Sequence, residues 1–214
     1  MANYILSIRI GIGSFLFYAI FLSLPIVLLS LLRYKRINPM RISLIFLFIL
    51  YSFCVLALVF LPLPTAAQAA TLCKHRIQWI PFHFLSDILR TTPFEISNPH
   101  TYLPSILHKT VLQVVFNVLM TIPFGMFLRY YLGLDGRKIV LFSFLLSLFI
   151  ELGQLTGLFF LYPGSYRLCD ADDLIANTLG GYLGFRVIFL IERYLPSITA
   201  FDLAIPFRKK ALTA

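Results

Sequence analysis

The chain has 214 residues, 59% of them hydrophobic and only 13% charged, against about 45–50% apolar and about 25% charged in soluble domains. That balance excludes a soluble globular domain, and 22 Phe with only three Cys exclude a disordered chain, a collagen-like chain and a disulfide-dense miniprotein. The net charge of +9 sits mostly between apolar runs, where it encodes membrane topology, and no basic stripe with interleaved aromatics points to nucleic acid.

Five stretches approach the roughly 20 apolar residues that cross a bilayer: 11–32, 42–63, 111–132, 139–162 and 174–195. The first is too long for a signal-peptide core, and no small-x-small cleavage site follows it before Arg33, so it reads as a retained helix. The run Thr65-Ala-Ala-Gln-Ala-Ala70 looks like a cleavage site but follows two spans, which makes it a loop. The expected fold is an all-α polytopic membrane bundle of about five transmembrane helices plus an interfacial or re-entrant outer segment. Its parts are two helices in 1–64, an extracytoplasmic segment in 65–110, a three-helix core in 111–195 and a basic cytoplasmic tail in 196–214.

Lys and Arg near span ends are retained on the cytoplasmic side. Arg33, Lys35, Arg36 and Arg41 follow span one, Arg129, Arg137 and Lys138 follow span three, and Arg193, Arg208, Lys209 and Lys210 end the chain. These eleven orient the N-terminus outward and the C-terminus inward. Two connections then face out. In 64–110, Trp79, Pro81, Phe82 and Phe84 form an amphipathic mix suited to headgroups, with a short interfacial helix expected around 84–90. In 163–173, charge is concentrated in Arg167, Asp170, Asp172 and Asp173.

Ionisable groups in hydrocarbon cost about 2.5–3.5 kcal/mol on insertion scales, so each is a candidate functional residue. Glu151 lies at the centre of the fourth expected span, with Gln154 on the same face. Asp170, Asp173, Asn177 and Gly181 recur at helical spacing, and Asn117 lies in the third span. At about 1.5 Å per residue, the expected depths are about 9 Å for Asn117, about 12 Å for Gln154, about 5 Å for Asn177 and about 16 Å for Glu151. The candidate polar pocket is therefore Asn117, Glu151, Gln154, Arg167, Asp170, Asp173 and Asn177, opening outward with Glu151 as its floor. Competing structural roles are helix capping by the aspartates, interhelical hydrogen bonding by the amides, and a protonated or ion-paired Glu151. Arg186 falls on the opposite side of the fifth helix from Asn177 by helical phase. Gly153-x-x-x-Gly157 and Gly180-x-x-x-Gly184 are small-residue ridges expected to pack spans four and five together.

These residues resemble the VanZ-like family of small bacterial membrane proteins, whose name comes from a teicoplanin-resistance protein. The matching pieces are Ile80-Pro-Phe82, Asn117-Val-Leu-Met-Thr-Ile-Pro-Phe-Gly125, Glu151-x-x-Gln154 and Arg167-x-x-Asp170-x-Asp172-Asp173-x-x-x-Asn177-x-x-Gly180, within about 77–185. The resemblance implies a cell-envelope protein associated with reduced susceptibility to teicoplanin and related lipoglycopeptides. It does not make every member a resistance determinant.

Three functions follow as alternatives: binding or altering an outer-leaflet lipid headgroup or lipid-linked cell-wall precursor, hydrolysis or transfer on a polyprenyl or precursor lipid, and transport of a small solute or proton. The enzyme reading lacks a convincing nucleophile, since no His is placed to activate Ser165. The transport reading lacks an inverted repeat. His75, His83, His100 and His108 match no metal-ligand spacing, so no metal and no cofactor is expected. Cys73 and Cys169, both expected outside, read as free thiols with a disulfide as the alternative. The expected partners are the bilayer and a lipid-borne ligand.

Overall fold

The protein is described here from a computed structural model, in which residues 2–34, 36–69, 71, 77–165 and 167–203 are described. Without water to bond to, backbone groups in a bilayer must satisfy one another, which makes long apolar segments helical. Among the described residues, five helices are long and apolar enough to cross a membrane: α1 (Ala2–Tyr34), α2 (Pro39–Phe60), α6 (Lys109–Tyr130), α7 (Gly136–Leu155) and α9 (Ala171–Ile191). Between α2 and α6 come α3 (Ala66–Ala69), β1 (Ile77–Gln78), α4 (His83–Thr91) and α5 (Tyr102–Ile106), and between α7 and α9 come the short turn α8 (Gly157–Phe160) and β2 (Cys169–Asp170). The expected all-helical membrane class is correct, and the helix expected around 84–90 is α4.

The chain divides into two compact units, 1–58 with 192–214, and 59–191. In the first, α1 and α2 approach so closely at Gly11 that a Cβ there would press on the backbone of Cys54, and Tyr18 stacks on Phe53 with ring centres 5.6 Å apart. Asn38 starts α2: its Oδ1 accepts the Arg41 N–H at 2.9 Å, with Pro39 in the first helical position, where a missing N–H costs nothing. The same side chain holds the tail, donating through Nδ2 to the Ile198 carbonyl (2.6 Å) and to Asp202 Oδ1 (2.7 Å). The Arg41 guanidinium lies 3.8 Å from Asp202 and 3.5 Å from the centre of the Tyr34 ring. An isolated antiparallel bridge joins Ile37 to Leu203.

In the second unit, α9 packs on both α6 and α7. Asp135 caps α7 by accepting the Lys138 N–H at 3.0 Å. At its far end α7 stops at Leu155, seven residues before the end of the expected span at 162, because the backbone turns left-handed at Gly157 (φ 64) and stays so through Leu158, Phe159 and Phe160. Glycine reaches that region at little cost, and once it is entered the i to i−4 ladder cannot continue. The two short strands pair in parallel, Ile77 with Cys169 and Gln78 with Asp170, which ties the segment before α4 to the segment before α9.

The glycine ridges meet different partners from those expected. A Cβ on Gly180 would overlap the Val118 carbonyl and the Thr121 hydroxyl, and one on Gly184 would overlap the Ile122 carbonyl; both are on α6, not α7. Gly125 of α6 faces the Gly181 backbone in return. Gly153 faces the rings of Phe60 and Phe159, and Gly157 serves the left-handed turn. Small residues let helix backbones touch where lipid offers no hydrophobic drive between helices. On α9, Gly180 and Gly184 spend that contact on α6, while Gly181 lies against the Ser143 side chain of α7.

Candidate functional site

Three helices each carry a polar stripe at i, i+4 spacing, which stacks side chains on one face. On α6 the stripe is Gln113, Asn117, Thr121; on α7 it is Ser143, Ser147, Glu151; on α9 it is Asp173, Asn177. The Asn117 amide donates to Asp173 Oδ1, joining α6 to α9 at the end of α9 nearest β2. One turn further, the Thr121 hydroxyl donates to the Asn177 carbonyl at 2.8 Å. Toward α7, the Asn177 amide donates to the Ser147 hydroxyl at 2.9 Å, and that hydroxyl donates to the Asp173 carbonyl at 3.4 Å. Glu151, Ser147, Thr121 and Asn177 are all at most 2% exposed.

Glu151 closes the cluster from α7. Its Oε2 accepts the Asp170 backbone N–H at 2.9 Å, and the Cys169 thiol bonds to the same carboxylate. Because α7 ends at Leu155, Glu151 is in its last turn, about 6 Å from the helix end rather than the expected depth of about 16 Å. Asp170 Oδ1 accepts the Asp172 N–H at 2.9 Å and lies 3.5 Å from the Gln78 amide nitrogen. Burial, followed by the neighbouring Asp172 carboxylate among the raising influences, lifts the Asp170 carboxyl above the usual range, although the Asp172 N–H works against the shift. Burial, with the Glu151 carboxylate beside it, pushes the Cys169 thiol up to about 11.

Asp172 has a different task. One of its carboxylate oxygens accepts the Phe82 N–H and the other accepts the Phe84 N–H at 2.7 Å. Phe82 is left-handed (φ 62) and offers no side-chain cap of its own, so a carboxylate from α9 satisfies the free donors at the start of α4. The segment thus held is amphipathic and exposes Trp79, Ile80, Phe82, Leu85 and Leu89.

Of the seven expected pocket residues, Asn117, Glu151, Asp170, Asp173 and Asn177 come together. Two do not. Gln154 donates to the Val59 carbonyl at 2.9 Å, and the Arg167 guanidinium donates to the Leu61 carbonyl at 2.7 Å, so both tie backbone near the end of α2. Arg186 is exposed with its guanidinium 3.3 Å from the Tyr182 hydroxyl, away from the stripe as helical phase requires. Gln113, Thr121, Ser147 and Cys169 were missed as members of the cluster, yet the first three lie four residues from Asn117 or Glu151, a spacing visible in the sequence. Among the described residues no group of three His, Cys, Asp or Glu side chains is arranged to hold a metal ion. Cys169 is a buried free thiol, and Cys73, its expected alternative partner, lies outside the described residues.

No curated protein and no solved structure matches the chain. The model of the VanZ/LLP1 family matches residues 48–192, which include every residue of the cluster and of the exposed segment before and within α4. With more than half its length matched, this five-span chain belongs to the VanZ/LLP1 family.

Proposed function

We propose that this membrane protein acts at the bacterial cell envelope by binding or altering an outer-leaflet lipid or lipid-linked cell-wall precursor, so that teicoplanin and related lipoglycopeptides gain less from that surface. One observation carries the reading: a buried cluster of carboxylates and amides is joined, through Asp172 and the β1–β2 pair, to an exposed apolar segment. A headgroup ligand needs both parts, polar groups to recognise it and an apolar ledge beside them for the membrane surface. The orientation belongs to the same proposal. The N-terminus lies outside and the tail inside, supported by the basic residues of the first loop and by the Ile37–Leu203 bridge that joins that loop to the tail.

A covalent enzyme is less well supported. Cys169 is the thiol beside the carboxylates, and a thiol whose pKa is raised is the opposite of an activated nucleophile.

Expression of Glu151→Gln and Asp173→Asn at wild-type protein levels, followed by measurement of teicoplanin susceptibility, tests the site. A protein that lowers susceptibility is expected to lose that effect in both variants. Susceptibility identical to wild type in both would remove the cluster from the function.

A further inference from the structure

Among the described residues, the cluster gathers three carboxylates, with only the His83 imidazole acting on Asp170 in the opposite sense. Glu151, Asp170 and Asp173 act on one another electrostatically. Among the described residues their bonding partners are neutral donors: the Asp170 and Asp172 backbone N–H groups, the Cys169 thiol, and the amides of Gln78, Gln113 and Asn117. Among the described residues the ion pairs are formed elsewhere, by Arg41 with Asp202, His83 with Asp87 and Lys138 with Asp135. The Arg167 guanidinium is bound to a backbone carbonyl.

A second observation comes from one turn along α9. Asn177 is 2% exposed and its Oδ1 has no donor. Its Nδ2 is fixed by Ser147, and that hydroxyl touches the Asp173 carbonyl, so the oxygen is held at the seam between α7 and α9 beside the acidic cluster. Buried acceptors without donors are costly and uncommon, and such an atom points to a ligand that donates.

A site made of acceptors selects donors. An ammonium group has three N–H donors and no acceptor, and its bonds to carboxylates are charge-assisted, whereas a phosphate or carboxylate would be repelled. The exposed Trp79, Ile80, Phe82 and Leu85 beside the cluster favour a lipid as the bearer of that group. Where α4 meets α6, the Thr91 and Thr110 hydroxyls are 3.3 Å apart, and Arg90 and Lys109 are their chain neighbours.

We propose that the seam of Glu151, Asp170, Asp173 and Asn177 takes a primary ammonium group presented by a lipid headgroup of the phosphatidylethanolamine class. This rests on the lipid-binding reading above. The recognition is by N–H donation as well as charge, so N-methylation, which removes donors and keeps the charge, weakens it step by step.

The full chain in nanodiscs, with equal amounts of phosphatidylethanolamine, its mono- and dimethyl derivatives, phosphatidylcholine and phosphatidylglycerol, tests this by native mass spectrometry of the retained lipid. Phosphatidylethanolamine is expected to be enriched roughly tenfold over phosphatidylcholine, the scale of one charge-assisted contact, with the methylated lipids in between. Glu151→Gln and Asp173→Asn are expected to return the ratio to that of the bulk lipid. Equal retention of phosphatidylcholine, or preference for phosphatidylglycerol, overturns the ammonium assignment and leaves lipid binding standing. Retention of no lipid at all overturns the lipid reading itself. Enrichment that survives in both variants moves the ammonium away from this seam and overturns the assignment. Displacement of the retained lipid by free ethanolamine supports ammonium recognition at the seam, whereas binding of free ethanolamine without any lipid enrichment overturns the lipid as its bearer. The methylation series uses the wild-type chain, so it reads out even if a variant fails to fold.

Discussion

The Cys169 thiol lies against the Glu151 carboxylate, and a thiolate there would face both burial and a second negative charge. With its pKa pushed up to about 11, the thiolate fraction near pH 8 is on the order of one in a thousand. Alkylation of Cys169 by iodoacetamide, mapped by mass spectrometry, should therefore be slow at pH 8 and rise steeply toward pH 11. Glu151→Gln removes the charge and leaves the burial, so the rate at a given pH should increase a few-fold and no more. An unchanged rate in that variant would mean the carboxylate does not act on the thiol. Asp170 follows the same physics in a lower pH window. Its folded pKa is raised, so the cost of holding it ionised is present at neutral pH and is relieved as pH falls toward the ordinary carboxylate range.

Between elements, two of the contacts of α9 respond differently to mutation. At Gly180 the fit to α6 is steric: Gly180→Ala drives a methyl group into the Val118 carbonyl, and backbone cannot step aside as a side chain can. Overpacking of this kind costs about 1–3 kcal/mol, and the thermal midpoint of the purified protein in detergent is expected to fall; an unaltered midpoint would mean the helices are not in backbone contact. Toward α4 the link is a cap. Asp172→Ala leaves the Phe82 and Phe84 N–H groups without an acceptor, at about 0.5–2 kcal/mol for a lost cap. Hydrogen exchange should quicken in α4 while α6, α7 and α9 stay protected. Protection of α4 equal to wild type would refute the capping role. Capping by the aspartates was legible in the sequence, but the expectation was local. The helix that Asp172 caps begins some ninety residues earlier in the chain, at a left-handed Phe82 that no pattern of residue types announces.

For the whole molecule, hydropathy set the number of spans, since a helix that cannot be solvated must be apolar along its length, and that is a property of each segment alone. The tail is different. Asp202 reaches Asn38 and Arg41 across more than 160 residues of chain, and its loss would leave one Asn38 N–H without its acceptor and the nearly buried Arg41 guanidinium without its carboxylate, at about 1–3 kcal/mol. Asp202→Ala is expected to release residues 192–203 to protease without melting α1 or α2, and equal cleavage rates in variant and wild type would show that the latch holds nothing.

The sequence by itself determined the membrane class, the five spans and the family, together with the i, i+4 stripes on which most cluster residues lie. All of these depend on neighbours within a few turns. Only the tertiary structure decided which stripes meet, that Gly180 and Gly184 of α9 close on α6, and that α7 ends early enough to lift Glu151 into its last turn. It also decided that Gln154 and Arg167 leave the cluster for the carbonyls of Val59 and Leu61. A polar side chain in an apolar setting must find a partner, and its type makes that requirement plain. Which partner it finds depends on the carbonyls and carboxylates that packing brings within reach, and those come from distant parts of the chain.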